Sequence, residues 1–157
     1  MHSLAPILVA VTMLAGSRPA ADWTALSGRW EGSGTFQGKP ATGTIHWEGV
    51  LAGKFKRLGI QLSLDEKVVF EGHACYDLRP GDPIRGSWFD SQGSSYPIKA
   101  TMDGDSLVAL WGMDPAEPSG RSVYQLTGDK LLVTDYLRRS GEWRQFARLE
   151  YRKAGGG

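Results

Sequence analysis

Hydrophobic and polar residues alternate along nearly the whole chain beyond its amino-terminal segment, and this period of two predicts β-strands. The segment 44–51 (TIHWEGVL) places Ile45 and Trp47 on one face and polar side chains on the other. The segments 57–64 (RLGIQLSL) and 67–77 (KVVFEGHACYD) repeat the pattern. Each has one apolar face that covers a core and one polar face toward solvent. The predicted apolar face of the last segment comprises Val68, Phe70, Gly72, Ala74 and Tyr76.

Turn-forming residues separate these segments at intervals of about 8 to 12 residues, a spacing typical of all-β sandwiches and barrels. Pro-Gly, Asp-Gly and Gly-Asp pairs reverse the chain, because glycine accepts a positive φ and proline presets φ. The predicted turns lie at 65–66, 79–83, 90–93, 102–106, 114–120, 127–130 and 139–142. Links this short make consecutive strands antiparallel neighbours. We therefore predict an all-β fold, a single antiparallel up-and-down barrel of about ten strands, since closure removes both exposed sheet edges.

Residues 26–38 (LSGRWEGSGTFQG) contain four glycines and invite comparison with a phosphate-binding loop. Such a loop needs a helix directly after its glycines, whereas another alternating segment follows here. Glycines on one face of a strand instead suit a close approach or a bend at a barrel corner. We interpret this stretch as the first strand of the barrel. The face it presents carries Gly28, Trp30, Gly32, Gly34 and Phe36.

Residues 1–21 have the features of a secretory signal peptide. An apolar run from Leu4 to Gly16 is too short to span a bilayer, and small residues that suit a signal peptidase follow it. A short amino-terminal helix packed on the domain is the alternative. LAGS at 14–17 resembles a bacterial lipoprotein signal with serine in place of the lipid-carrying cysteine, so we expect no stable membrane anchor. We predict a periplasmic or secreted protein with one barrel domain over residues 22–157.

Charge and cysteine content narrow the range of partners. The 157 residues include 18 Lys and Arg and 17 Asp and Glu, and removal of residues 1–21 takes away Arg18 and leaves 17 of each sign. A neutral domain lacks the basic surface of a nucleic-acid-binding protein, so we predict no nucleic-acid partner. Cys75 is the single cysteine, which excludes an internal disulfide, and we interpret it as a buried small residue.

Several segments resemble known barrel families. GRW at 28–30 is similar to the G-x-W motif that opens lipocalins and related calycin barrels, in which the tryptophan closes one barrel end. The segments 26–36, 49–55, 75–93 and 149–153 resemble a bacterial lipocalin-like domain family of unknown function. The resemblance spans nearly the whole chain after the signal peptide and implies a lipocalin-like barrel. A second similar group, the haem-binding nitrobindin barrel, takes its iron ligand from a histidine late in the chain. The last predicted strand here has no histidine, so we expect no haem and no other cofactor.

Aromatic residues and barrel size together favour a ligand cavity. The chain has six Trp, five Tyr and five Phe, and barrels of this strand number can enclose a small ligand. With the family resemblance, this predicts that the protein binds a small hydrophobic molecule inside the barrel. The predicted lining residues share an apolar position on the apolar face of a strand: Trp47, Ile60, Phe70, Tyr76, Trp88, Ile98, Met102 and Trp111. The alternative is a structural or interaction barrel packed solid with side chains.

The polar faces of the second and fourth predicted strands hold the candidate chemistry. His46 and Glu48 are two residues apart, as are Glu71 and His73, so each pair shares a face. Such side chains bind Zn²⁺ or transfer protons, but pairs at this spacing also arise wherever polar and apolar residues alternate. No G-x-S-x-G, H-E-x-x-H or paired-cysteine motif occurs. We therefore predict no catalytic residue and no metal ligand, with a small enzyme or metal site that uses these four residues as the alternative.

Overall fold

The computed structural model describes residues 23–155, so the signal-peptide prediction for residues 1–21 lies outside the described residues. The described chain forms one short helix and ten strands. Their bounds are α1 (Trp23–Leu26), β1 (Gly28–Phe36), β2 (Lys39–Val50), β3 (Phe55–Leu64), β4 (Lys67–Asp77), β5 (Ile84–Asp90), β6 (Ser95–Asp103), β7 (Ser106–Trp111), β8 (Gly120–Thr127), β9 (Lys130–Arg139) and β10 (Glu142–Lys153). The part of the chain described contains no helix with the length and apolarity needed to cross a bilayer.

The ten strands form one closed sheet. Each strand pairs antiparallel with its neighbour in sequence, and β1 also pairs with β10 along the register from Trp30 opposite Lys153 to Phe36 opposite Ala147. The predicted all-β, up-and-down antiparallel barrel of about ten strands is therefore confirmed. The turns predicted from glycine, proline and aspartate lie between the strands, and the glycine-rich stretch at 26–38 forms the first strand as interpreted.

A layer of aromatic side chains fills one end of the barrel, where β1 begins. Helix α1 lies across this end, and its Leu26 is buried. The ring of Trp23 packs against Tyr76 and Trp47, with centroid separations of 5.4 Å and 5.9 Å. Trp30 is buried beneath the helix and donates a hydrogen bond from Nε1 to the carbonyl oxygen of Leu26 at 2.9 Å. We call this the closed end, and we call the end where β1 runs into β2 the open end.

The expected burial of Val68 is wrong, because β3 and β4 do not keep one continuous register. Leu62 lies opposite Phe70, but the next residue of β3, Ser63, lies opposite Val68. Val69 is the extra residue of this bulge, so the side chains before it change face. Val68 and Val69 are consequently 54% and 42% exposed. A bulge of one residue inverts the sides of a strand beyond it.

Cys75 is half-buried rather than buried, which corrects a second expectation. Its neighbours on β4, Ala74 and Tyr76, are both buried inside the barrel. Strand alternation therefore places the thiol on the outer surface, where neighbouring side chains cover it only in part.

Candidate ligand-binding cavity

A cavity of about 400 Å³ occupies the open end of the barrel, and every strand except β2 contributes to its lining. The aromatic lining residues are Phe36, Phe70, Trp88, Tyr96, Trp111, Tyr124, Phe146 and Tyr151. The aliphatic lining residues are Ile60, Leu62, Val133, Leu137 and Leu149. The polar lining residues are Gln37, Asp90, Gln92, Ser94, Ser122, Asp135 and Arg139. A barrel packed solid throughout, one of the alternatives, does not describe this molecule.

Pairs of aromatic rings form the walls of the cavity. Phe70 and Trp88 are stacked with centroids 6.2 Å apart and an interplanar angle of 15°. Tyr96 and Trp111 are stacked at 5.8 Å and 25°. Phe36 extends the first pair, because its ring centroid lies 6.4 Å from that of Phe70. These contacts hold flat apolar surfaces around the cavity, and such surfaces favour the ring of an aromatic ligand.

Two glycines explain why two tryptophans line the barrel without filling it. A Cβ atom placed on Gly120 would lie 2.1 Å from the ring of Trp111, its direct cross-strand partner. A Cβ atom placed on Gly72 would lie 2.3 Å from the ring of Trp88. Each indole therefore occupies the space that a side chain on a glycine of the neighbouring strand would need. Because the rings rest against the wall, they leave space at the centre of the open end.

A chain of hydrogen bonds leads from the wall to a buried carboxyl group. Trp111 donates from Nε1 to the Ser122 hydroxyl oxygen at 3.1 Å. Ser122 donates in turn from its Oγ to Oδ1 of Asp135 at 2.5 Å. Within residues 23–155, this is the only hydrogen bond to the Asp135 side chain, so Oδ2 of this half-buried residue has no donor from the described protein.

The environment of Asp135 disfavours its charged form. Burial raises the pKa of Asp135 to about 6, and the hydrogen bond from Ser122 opposes this effect only in part. The same environment acts on two nearby phenols. Burial, and secondarily the charge of Asp135, raise the pKa of Tyr76 and of Tyr151 well above the usual value for tyrosine. The carboxyl group of Asp135 thus lies among neutral hydroxyl groups.

Asp90, the second carboxyl group of the cavity, is fully engaged in a turn. Its Oδ2 accepts a hydrogen bond from Trp88 Nε1 at 2.9 Å, and its Oδ1 accepts from the backbone N–H groups of Gln92 and Ser94 at 3.0 Å and 3.1 Å. Partial burial alone would raise the pKa of Asp90, but these hydrogen bonds outweigh it and lower the pKa. The turn interpretation of residues 90–93 is confirmed.

The eight residues predicted to line the cavity divide into two groups. Four of them, Ile60, Phe70, Trp88 and Trp111, border the cavity at the open end. The other four are placed elsewhere inside the barrel: Trp47 and Tyr76 lie under Trp23 at the closed end, Met102 lies beside Leu26, and Ile98 is buried in the core. Strand alternation identifies inward-facing residues, but the height of each residue along the barrel depends on register and strand tilt.

Sequence reasoning missed the polar residues of the cavity. Asp135 follows Leu131 and Val133 at spacings of two, so it occupies an inward-facing position in β9. The signal was therefore present, as an acidic residue on an otherwise apolar face. Ser122 occupies the equivalent position in β8, between Gly120 and Tyr124.

The histidine and glutamate pairs lie on the outer face of β2, β3 and β4, away from the cavity. His46 Nδ1 is 3.9 Å from Glu48 Oε1, and the same carboxylate forms an ion pair with Arg57. The hydrogen bond from Arg57 lowers the pKa of Glu48, which disfavours a role as a proton donor near neutral pH. Glu71 Oε1 accepts a hydrogen bond from Gln61 Nε2 at 2.5 Å.

These surface pairs do not assemble a metal centre. Across residues 23–155, no three His, Cys, Asp or Glu side chains come together as ligands. The carboxylates have Arg57 and Gln61 as partners, and His73 packs over Gly59, where an added Cβ would lie 3.5 Å from its ring. The arrangement is that of a solvated outer surface, which is the simpler interpretation of their spacing.

The residues of the open end do not fit the haem ligation that the nitrobindin resemblance would require. Strand β10 contains no histidine. The cavity lining within the described part of the chain includes no histidine, cysteine or methionine, the side chains that most often bind haem iron.

The raised pKa of Asp135 predicts an unusual pH dependence of stability. The pKa of this carboxyl group is 3.8 in the unfolded chain and about 6 in the folded protein, so its contribution to stability is complete below about pH 4 and is lost as the pH rises through 6. For Asp135→Asn, we expect the unfolding free energy relative to wild type to increase by about 2 kcal/mol between pH 4 and pH 7. Urea denaturation at both pH values measures this difference.

Asp90→Asn serves as the matched control, because the pKa of Asp90 shifts in the opposite direction. Its carboxylate stabilises the fold above the unfolded pKa, so this variant should be less stable than wild type at pH 7 and should approach it as the pH falls. A pH-independent effect of Asp135→Asn would contradict the account of its environment.

Comparison with known proteins supports the fold. No protein-family model and no curated protein sequence matches this chain. Among solved structures, the crystal structure of Rv2717c from M. tuberculosis is similar with a TM-score of 0.61 and 12% sequence identity, over 83% of this chain and 94% of that one. At so low an identity, the similarity concerns the arrangement of the backbone. The chain is a closed ten-strand antiparallel barrel whose fold resembles that of Rv2717c.

Proposed function

We propose that this protein binds a small apolar molecule with a flat, aromatic portion in the cavity at the open end of its barrel. The observation that carries the proposal is the cavity of about 400 Å³, lined by aromatic rings contributed from around the barrel. Protein cavities that bind small molecules have volumes of roughly 300 to 1,000 Å³ and are mostly apolar with a few polar groups. This cavity matches that description in size and in composition.

The expected affinity follows from the apolar surface that the ligand removes from water. A two-ring aromatic molecule that buries about 250 Å² gains about 6 kcal/mol at roughly 25 cal/mol per Å². Ring stacking against the cavity walls adds to this gain, while the loss of translational and rotational freedom opposes it. We expect dissociation constants of about 1 to 100 μM for a simple two-ring probe.

We also propose that the protein is exported and acts as a lipocalin-like binding protein without a stable membrane anchor. The apolar segment and small residues of 1–21 support export, and the G-x-W motif at 28–30 supports the lipocalin-like assignment. The burial of Trp30 beneath α1 agrees with the role of that tryptophan in the resembled families. The intact mass of protein from the periplasm or medium of its host would test export, since cleavage after Ser17 or Ala21 leaves a defined product.

Native mass spectrometry of protein purified from its host, together with fluorescence titration with N-phenyl-1-naphthylamine, tests ligand binding directly. Leu137 lines the cavity on β9, so Leu137→Trp should narrow the cavity and weaken binding of this probe by about tenfold. Val123→Trp is the matched control, because Val123 faces outward between Ser122 and Tyr124. Its affinity for the probe should remain within about twofold of wild type.

Two results would count against the binding function. One is the absence of any co-purified molecule together with no saturable probe fluorescence in the wild-type protein. The other is equal probe affinity in the wild type, Leu137→Trp and Val123→Trp, which would indicate that the probe binds outside the barrel.

A further inference from the structure

The Asp135 carboxyl group lines the cavity and keeps one oxygen that the described part of the folded protein does not hydrogen-bond. Ser122 donates to Oδ1, and Oδ2 has no donor within residues 23–155. Oδ2 is absent from the fully buried atoms that lack a partner in this part of the chain, and Asp135 is half-buried, so this oxygen is open to the cavity. Because Asp135 is one of the cavity-lining residues, a bound ligand can supply the missing partner.

The charges around Asp135 favour a cation. No lysine, arginine or histidine contributes to its titration, whereas burial does. The groups that interact with it are neutral near pH 7: the hydroxyls of Ser122 and Tyr124 on β8, of Tyr151 on β10 and, across the barrel interior, of Tyr76 on β4. The lining cation, Arg139, is an exposed residue at the end of β9.

The rings of the cavity add to this preference. Trp111 reaches the carboxyl through Ser122, so the edge of its indole lies on the same side of the cavity as Asp135. Its face is stacked with Tyr96. The faces of tryptophan and tyrosine attract cations, and this attraction is stronger where water is excluded.

We propose that the cavity selects small aromatic or apolar molecules that carry a protonated amine, and that the amine pairs with Asp135. This inference rests on the proposed binding function and names the ligand class for the same cavity. A carboxylate ligand such as a fatty acid would meet a like charge at the same position and is disfavoured. A neutral ligand of the same shape would gain the aromatic contacts alone.

The experiment compares three probes that share one aromatic body. They are 2-(1-naphthyl)ethylamine, 2-(1-naphthyl)ethanol and 1-naphthaleneacetate, each titrated by displacement of N-phenyl-1-naphthylamine at pH 7.5. We expect the amine to bind about tenfold or more tightly than the alcohol, and the carboxylate to bind most weakly, because a charge-assisted hydrogen bond replaces water at Oδ2.

Substitution separates the role of the carboxylate from the role of shape. In Asp135→Asn, the amine should lose about tenfold in affinity while the alcohol changes by less than about threefold. Glu31→Gln is the matched control, because Glu31 is an exposed carboxylate of β1 that does not line the cavity, so the preference for the amine should persist. In the wild type, the preference should decline as the pH falls from 7 to 5, where Asp135 gains a proton and the amine keeps its own.

The outcomes distinguish this inference from the binding function. If the alcohol and N-phenyl-1-naphthylamine bind but the amine gains no advantage, or keeps its advantage in Asp135→Asn, the amine selectivity is overturned and the binding function stands. If none of the probes binds, the binding function itself fails.

Discussion

Replacing Gly34 with alanine should destabilise the barrel by about 3 kcal/mol or more, enough to lower the melting temperature by roughly 10 °C. The new Cβ atom would lie 2.0 Å from the carbonyl oxygen of Arg148 and 2.8 Å from Cα of Leu149. Both are backbone atoms of β10, paired with β1 where the barrel closes. Relief of the overlap therefore requires the two strands to separate.

Gly49→Ala provides the control for this effect. An added Cβ at Gly49 meets no atom within 4 Å, so this variant should remain within about 0.5 kcal/mol of wild type. Thermal unfolding followed by circular dichroism compares the two substitutions. Melting of Gly34→Ala within about 3 °C of wild type would show that β1 and β10 adjust without loss of pairing.

Replacing Trp30 with alanine should cost about 3 to 5 kcal/mol, the usual range for loss of a large buried aromatic side chain. Trp30 is only 2% exposed, and its Nε1 donates to the carbonyl oxygen of Leu26 at 2.9 Å. The substitution removes both the packing beneath α1 and the bond that attaches the helix to β1. It also removes the ring over which the Lys153 ammonium lies at 5.3 Å.

Trp30→Phe separates ring packing from the hydrogen bond. This variant keeps an aromatic ring, so we expect a loss of about 1 to 2 kcal/mol in urea denaturation. Its affinity for N-phenyl-1-naphthylamine should match wild type, because the proposed cavity lies at the opposite end of the barrel. Equal stability of Trp30→Ala and wild type would refute the role assigned to Trp30 at the closed end.

The proposed ligand class changes the choice of probes for this protein. A displacement assay built on fatty acids would present a carboxylate to Asp135, which already lacks a counter-cation among residues 23–155. A negative result from such an assay would therefore say little about binding of neutral or cationic molecules. The three naphthyl probes avoid this ambiguity, since they differ only in the head group.

The fold class could be predicted from the sequence because the patterns that indicate it, strand alternation and turn residues, are local. Alternation in segments such as 44–51 depends only on the strand period of two, and turns such as 65–66 depend on residues adjacent in sequence. Short turns between amphipathic strands leave few arrangements, and a closed meander is the one that removes exposed edges. The exposure of Val68 could not be predicted in this way, because a bulge depends on how two strands pair.

The candidate cavity, in contrast, depends on register between distant residues. Strand alternation predicts that Ile60 and Trp47 both face inward. Only the assembled barrel places Ile60 at the open end and Trp47 at the closed end. The space at the open end also requires Trp111 to lie over Gly120, a pairing set by the register of β7 and β8.

Local sequence thus determined the strands, the turns and the closed barrel, because each follows from the order of neighbouring residues. Tertiary structure alone decided where the cavity lies and which of the inward-facing polar groups meet in it. Trp111, Ser122 and Asp135 lie on three consecutive strands, and their hydrogen bonds exist because β8 pairs with β7 and with β9 in one particular register. The physical reason is that the facing of a side chain is a local property, whereas its height in the barrel and its partners depend on the pairing of whole strands.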